Sequence, residues 1–302
     1  MALPLITIAI PAYKAEFIQE AVKSALSQTY SNIEVLVVDD CSPENIYDRV
    51  VVFNDSRLRY VRNEANVGKE DPSKNWNRCL KYAKGEYICV LCDDDLYAEN
   101  YVEELVRLSE KYPLCNVFRC SVTETDEDGE VTDFFPLAPE YEPVDEYIWH
   151  LHSGNNRQTL SEWMMRTSAL RLIGGYVNSP MAWGADCMTV YKLAVSGGVV
   201  SSPLRLMCFR KSGLNITGRE KSYIPQKIVG WQMQCDCARE IIENGAVENK
   251  RIILRTIEHD RKTWTKNLAK RASCSELIHM YSDKDKYGFS LKLLFKGLWY
   301  KI

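Results

Sequence analysis

The chain has 302 residues, 46% hydrophobic and 26% charged, with a formal net charge of -3. That balance belongs to a folded globular protein with room for one large domain, or one domain plus an appendage. It excludes a disordered or fibrous chain and offers no basic surplus for nucleic-acid binding. The 11 cysteines are scattered without paired CxxC spacing, as free thiols in a reducing cytosol would be. No secretory leader is expected, because Met1-Ala2-Leu3-Pro4 runs almost directly into a strand. No apolar stretch approaches the ~20 residues of a membrane-spanning helix.

Residues 5–10 form a β-rich run expected to stop at Pro11. Helical spacing follows, with Phe17, Ala21, Ala25 and Leu26 on one face. Residues 33–38 read as a second strand ending in Asp39-Asp40, and residues 58–62 as a third ending in polar residues and Gly68. A helix over about 73–83 leads to the strand Gly85-Glu86-Tyr87-Ile88-Cys89-Val90-Leu91. A further helix carries Tyr101, Leu105 and Leu108, and residues 117–122 form another strand. This alternation implies βαβ units: an α/β fold with a mostly parallel sheet flanked by helices. Residues 124–146 are acidic, contain proline and lack periodicity, and read as a long loop or hairpin with a turn at Asp128-Gly129. Order resumes over 161–198, with helix signals around 182–196. After about Tyr223 the pattern is helical to the end, with Ile253, Ile257, Trp264 and Leu268 in one stripe.

The strand over 85–91 runs into Cys92-Asp93-Asp94-Asp95. Adjacent carboxylates repel, and burying them unpaired is costly, so a cation is expected beside them. In an open α/β sheet the carboxyl ends of strands are also where ligands bind. A divalent metal carrying a phosphorylated ligand meets both demands; a solvated turn capping the next helix is the other reading. Pro11-Ala12-Tyr13, Asp39-Asp40 and residues 66–68 reach the same edge, which favours a site. No GxGxxG follows the first strand, which argues against a dehydrogenase. His150-Leu151-His152 and Cys235-Asp236-Cys237 lack the further ligands a metal site needs.

Several pieces occur together: Ile10-Pro11-Ala12-Tyr13, Val37-Val38-Asp39-Asp40-Cys41-Ser42, Asn66-Val67-Gly68, then Asn77 with Leu80 and Ala83, and Asp93-Asp94-Asp95. A second block follows: Gly174-Gly175-Tyr176, Trp183-Gly184-Ala185-Asp186, and Tyr191-Lys192-Leu193-Ala194 with Gly197. In order and spacing they resemble the family 2 glycosyltransferases, which have the nucleotide-diphospho-sugar transferase fold called GT-A. The resemblance covers about residues 4–217. It implies a GT-A domain over 1–222, nucleotide-binding to about 123 and acceptor-binding and catalytic from about 124, followed by a helical extension over 223–302.

The resemblance implies an inverting, metal-dependent transfer of one sugar from a nucleotide-diphospho-sugar, UDP-linked by preference, to a glycan or lipid-linked acceptor. The implied setting is surface-polysaccharide assembly, such as capsule or lipopolysaccharide, on the cytoplasmic side of a membrane. Pro11, Ala12 and Tyr13 would flank the base, with Tyr13 as a ring face and Asp39 or Asp40 as the acceptor for its N–H. Asn66, Gly68 and Asn77 would complete the nucleotide pocket, and Asp93 would hold the ribose. Asp94, with Asp95, would ligate Mn²⁺ or Mg²⁺ through hard oxygens. Arg210 and Lys211 fall where a basic residue lies near the diphosphate, Trp163 and Trp183 would face the acceptor, and Asp186 would be the catalytic base. Plainer readings stand beside these: Tyr13 as a plug of the sheet edge, Asp40 as structural, Asp95 or Asp186 as a helix N-cap, Arg210 and Lys211 as solvated charges. Lys14, Cys92 and Ala185 depart from the residues the family usually has there. The Gln-x-x-Arg-Trp motif of processive synthases is absent. Rival readings are a sugar nucleotidyltransferase, which would carry a Gly-rich basic loop after the first strand, and a non-catalytic sugar-nucleotide-binding protein.

The last helix places Leu291, Leu294, Phe295, Leu298 and Ile302 on one face, with Lys292, Lys296 and Lys301 mostly off it and Trp299-Tyr300 near its end. Such a helix can lie on an anionic membrane, or dock on its own domain or on a second subunit.

Overall fold

A computed structural model of the chain describes residues 3–213 and 223–300. Its strands are β1 (Ile6–Ala12), β2 (Ile33–Asp39), β3 (Leu58–Arg62), β4 (Tyr87–Val90), β5 (Leu96–Tyr97), β6 (Val117–Thr125), β7 (Val131–Phe134), β8 (Tyr141–Glu142), β9 (Trp163–Arg166) and β10 (Val199–Arg210). They form one sheet in the order β3-β2-β1-β4-β9-β6-β10-β5, with β7 beside β6 and β8 beside β10. The four strands from β3 to β4 are parallel, as expected, and so are β6 and β10. The short strands β5, β7, β8 and β9 all run antiparallel to their neighbours, so the sheet is mixed beyond β4.

β1 is buried on both faces and feeds two cores by alternation. Ile6, Ile8 and Ile10 join Val35, Val37, Cys89 and Leu91 on one side, while Ala9 joins Leu36, Val38, Ile88 and Val90 on the other. Helices α1 (Ile18–Leu26), α2 (Ile46–Val50) and α4 (Tyr101–Lys111) cover the first side. The second is covered by α3 (Ser73–Tyr82), α5 (Val144–His152), α6 (Thr167–Leu172) and α7 (Ala185–Ala194). β1 does not stop at Pro11. Ala9 turns its carbonyl to Leu91 and Ala12 turns its carbonyl to Asp40, so by alternation Pro11 faces the β4 side. β4 has already ended at Val90 there, and the missing N–H costs no ladder bond.

The extension consists of α8 (Ile224–Asn244), α9 (Lys250–Arg271), α10 (Cys274–Ser282), α11 (Lys284–Tyr287) and α12 (Leu291–Trp299). The expected boundary at residue 222 lies outside the described residues. α8 and α9 share the second core through Trp231, Cys235, Ile253 and Ile257, and a third core forms around Leu268, Leu277, Met280 and Phe289. Buried His152 ties α5 to α9 and α7, with Nδ1 2.9 Å from Asp260 and Nε2 3.3 Å from the Tyr191 hydroxyl.

The expectation for α12 needs correcting. Leu293, Leu294 and Leu298 pack on the third core, and Gly297 lies against Leu277 and Ala269. Leu291, Phe295 and Trp299 are exposed, Phe295 by 63% and Trp299 by 76%. The helix therefore has two apolar faces, one docked and one open. Lys301 and Ile302 lie outside the described residues.

One close approach sets the position of the segment before α7. Gly175 has φ of +93°, and a Cβ there would collide with the amide oxygen of Asn77. Gly175→Ala should cost about 2 kcal/mol, from left-handed backbone plus this clash. A thermal melt should show the midpoint falling by several degrees; an unchanged midpoint would contradict the packing.

Candidate active site

β1, β2 and β4 end side by side. Asp93 closes the turn after β1: its Oδ2 accepts the backbone N–H groups of Tyr13 and Lys14, each at 2.9 Å. Its Oδ1 lies 3.0 Å from the Lys14 ammonium, which is also 2.5 Å from Asp94 Oδ2. Both aspartates are 5% exposed. Two like charges at that depth need a cation, and Lys14 supplies it. Burial works against charging Lys14, but the two carboxylates outweigh it and raise its pKa. Asp94 is raised by burial, with Lys14 opposing.

Asp95 does not cap a helix, because β5 follows it directly and α4 begins only at Tyr101. Its Oδ2 accepts the Ser161 hydroxyl at 2.6 Å and its Oδ1 the backbone N–H of Arg210 at 3.1 Å. Ligand atoms of Cys92, Asp94 and Asp95 lie within 4.8 Å of one another. Burial pushes the Cys92 thiol well up, so it stays protonated and the set offers hard carboxylate oxygens. A carboxylate cradle already holding an ammonium fits Mg²⁺ or Mn²⁺, and Asp94, with Asp95 behind it, would hold the ion.

Several expected nucleotide ligands serve the fold instead. Asp40 accepts from Asn63 Nδ2 at 2.8 Å and from the N–H groups of Val67 and Gly68 at 2.9 and 2.7 Å. It thereby holds the loop carrying Asn66, and a Cβ on Gly68 would lie 2.7 Å from its oxygen. Asn77 spends both ends of its amide on the backbone of Tyr176, at 2.9 and 2.8 Å, so it pins that segment rather than reaching a nucleotide. Arg210 is buried and not at a free diphosphate position. Its guanidinium donates to the carbonyls of Asp94 and Glu127 and to Glu20, 2.6 Å away, and stacks 4.1 Å over Phe17. Lys211 is exposed, 3.6 Å from Glu124. Trp163 is 1% exposed, packed against Tyr147 with Arg119 over its ring, and cannot face an acceptor.

Of the remaining residues, Tyr13 is exposed, Trp183 and Asp186 are half-buried, and Asp39 is closed off. Tyr13 is 42% exposed, beyond buried Ala12 and half-buried Pro11, and does not plug the sheet edge. Asp39 is fully buried, bonded to Arg62, to the Tyr60 hydroxyl at 2.5 Å and to the Ser42 N–H at 2.7 Å. Arg62 neutralises that carboxylate from the surface: it is exposed and also donates to the Ser42 carbonyl. Trp183 is half-buried, its ring centroid 5.2 Å from that of Trp264. Asp186 lies in the first turn of α7, half-buried, and Gln158 donates to its Oδ2 at 2.9 Å. Burial raises its pKa and the Gln158 bond opposes. The loop before it is strained, with φ of +56° at Met181 and +53° at Ala182.

Gln158 and Ser161 went unread in the sequence, yet they join the two halves of the site. Gln158 holds Asp186, while the hydroxyl of Ser161 bridges Asp95 and the N–H of Cys92. No spacing signal marks Gln158. Arg62 was legible in principle, since it stands opposite Asp39 in the β2/β3 register.

Residues 7–172, over half of the chain, match the family model described as glycosyl transferase family 2. The Escherichia coli protein named UDP-Glc:alpha-D-GlcNAc-diphosphoundecaprenol beta-1,3-glucosyltransferase WfgD is 40% identical over 100 residues, 33% of this chain and 38% of that protein. The E. coli protein WfaP, which carries the same activity in its name, is 33% identical over 137 residues, 45% of this chain and 53% of that protein. The chain thus spans between about a third and about half the length of these relatives. S. aureus TarS 1–349 in complex with UDP-GlcNAc superposes with a TM-score of 0.70 at 15% identity, over 98% of this chain and 91% of that one. The mannosyltransferase PcManGT from Pyrobaculum calidifontis in complex with GDP-Man and Mn²⁺ gives 0.58 at 17% identity, over 99% and 88%. At these identities the likeness is one of fold, and it extends over the C-terminal helices.

Asp40 and Tyr13 should separate cleanly. Asp40→Ala strands three donors and should cost about 3 kcal/mol by urea denaturation. Tyr13→Ala, at an exposed ring, should leave the unfolding midpoint unchanged. Equal midpoints for the two variants would overturn the structural role of Asp40.

Proposed function

This chain belongs to glycosyl transferase family 2, and on that premise we propose that it transfers one sugar from a UDP-linked donor to a lipid-linked glycan acceptor, with inversion. The observation that carries the reading is the Asp93/Asp94 cradle at the end of β4, beside the exposed Tyr13. In this reading Tyr13 would offer a ring face to the base, Arg62 would neutralise Asp39 at the base end, and Asp93 would hold the ribose. A divalent ion on Asp94, Mn²⁺ or Mg²⁺, would act as a Lewis acid on the charge of the departing nucleoside diphosphate.

Asp186 takes the proton of the acceptor hydroxyl as that oxygen bonds to the anomeric carbon and the bond to the diphosphate oxygen breaks. Its raised pKa makes it a stronger base than an exposed aspartate, and Gln158 fixes its orientation. Trp183, three residues before it and half-buried, would face the acceptor sugar. The diphosphoundecaprenol in the names of WfgD and WfaP supports a lipid-linked acceptor, and so surface-polysaccharide assembly.

Among the described residues no helix is long and apolar enough to cross a membrane. The open face of α12 supports peripheral contact instead. Leu291, Phe295 and Trp299 recur every fourth residue with Lys292 and Lys296 beside them, as on a helix lying in an anionic interface.

A sugar-nucleotide panel with acceptor-free hydrolysis as readout tests the donor: UDP-sugars should be hydrolysed in Mn²⁺ or Mg²⁺, and hydrolysis of none would sink the reading. Asp186→Asn should lower turnover by ~10²-fold or more while UDP affinity stays near wild type. The Gln158 bond favours the ionised carboxylate, so Gln158→Leu should raise the Asp186 pKa. The acid limb of the rate profile should then move toward higher pH; a shift toward lower pH would contradict the geometry. Phe295→Ser with Trp299→Ser, at exposed positions, should keep the melting midpoint and abolish sedimentation with anionic vesicles. Undiminished sedimentation would remove α12 from the membrane reading.

A further inference from the structure

Lys14 stands where the family usually has another residue, and its ammonium lies between Asp93 and Asp94, on the Asp94 oxygen that a metal ion would take. The distances are 3.0 and 2.5 Å, to carboxylates that are nearly inaccessible. Its backbone is held separately, because the Lys14 N–H donates to Asp93 Oδ2. Its side chain is 24% exposed, so the four-carbon stem can swing outward while the backbone stays in place. A divalent ion entering alone would bring like charge against the ammonium and offer it no new partner. An ion entering with a diphosphate offers one: phosphate oxygens within reach of the same stem.

We propose that Lys14 is an exchangeable counter-ion of the donor site, which holds the two carboxylates until a divalent ion arrives with a nucleoside diphosphate and then moves from Asp94 onto that diphosphate. Lys14 thereby couples metal binding to nucleotide binding, and in the loaded site it adds a second positive charge on the leaving group. It positions charge rather than transferring a proton, so its effect is read in binding. This inference rests on the nucleotide-sugar reading of the site.

The test is Mn²⁺ binding to the full-length protein, followed by electron paramagnetic resonance of the free ion, with and without UDP. Wild type should bind Mn²⁺ at least about tenfold more tightly with UDP present, a coupling of ~1.4 kcal/mol. Lys14→Gln should tighten Mn²⁺ binding to the nucleotide-free protein by about tenfold and weaken UDP at saturating Mn²⁺. Lys14→Arg keeps the charge and should leave nucleotide-free Mn²⁺ binding weak. If wild type binds Mn²⁺ equally well with and without UDP, the coupling is absent and the proposal falls whatever the variants do. If UDP and Mn²⁺ bind together but Lys14→Gln leaves nucleotide-free Mn²⁺ affinity unchanged or lower, the counter-ion role falls and the site reading survives. If wild type binds neither UDP nor Mn²⁺, the site reading itself fails.

Discussion

Two buried carboxylates facing one another at a strand end cannot both be charged without a cation between them, and much of this molecule is arranged around that requirement. Asp93 and Asp94 are placed by β4, which is paired on both sides and buried on both faces. Arg210 holds the carbonyl of Asp94 from one side and Ser161 holds the N–H of Cys92 from another. The carboxylates cannot retreat into water, nor can the turn relax to separate them. A cation-binding place is therefore built into the backbone, and Lys14 fills it from within.

The same economy governs the rest of the edge. Asp40, Asn77, Asp95 and Arg210 stand at motif positions, yet their polar atoms are spent on loops and strand ends of the chain itself. Asp40 thereby sets where residues 66–68 come to rest, and Asn77 does the same for the segment before α7. The segment 158–161 then joins the acidic strand end to α7, with Asp186 bonded at one end and Asp95 at the other. A three-residue span limits how far apart these anchors can lie, to roughly 3.5 Å of chain per residue plus side chains.

Most of the first 122 residues, α2 and β5 excepted, were legible because strands buried on both faces read as continuous apolar runs, while helices keep their own period. The elements over 33–39, 58–62 and 73–82 fall close to where those patterns put them. Among the antiparallel strands, β7 was legible as the return of a hairpin turning at Asp128-Gly129, while β5, β8 and β9 were not. β9 is four residues long and follows a polar turn, and neighbour order in a sheet leaves no trace in periodicity. In the site, the acidic triplet located the edge correctly, because charge at the end of an apolar strand is a local signal. Whether a side chain faces outward or inward is not local. Trp163 and Asn77 carry the same letters whether they meet a ligand or the core, and only packing decided against them. Gln158 left no signal, because its partner Asp186 is 28 residues away. On α12 the helical period was right but the inward face was chosen by Leu277 and Ala269 on other helices, which turned Phe295 outward.

The proposed transfer requires the carboxylates at the end of β4 to bind a nucleoside diphosphate through a divalent cation. Calorimetric titration of UDP into the full-length protein, in Mn²⁺ and then in EDTA, tests it most directly. The account predicts that chelation weakens UDP by about tenfold or more, and that Asp94→Asn in Mn²⁺ reproduces the loss with the melting midpoint retained. Equal UDP affinity in Mn²⁺ and in EDTA would contradict it.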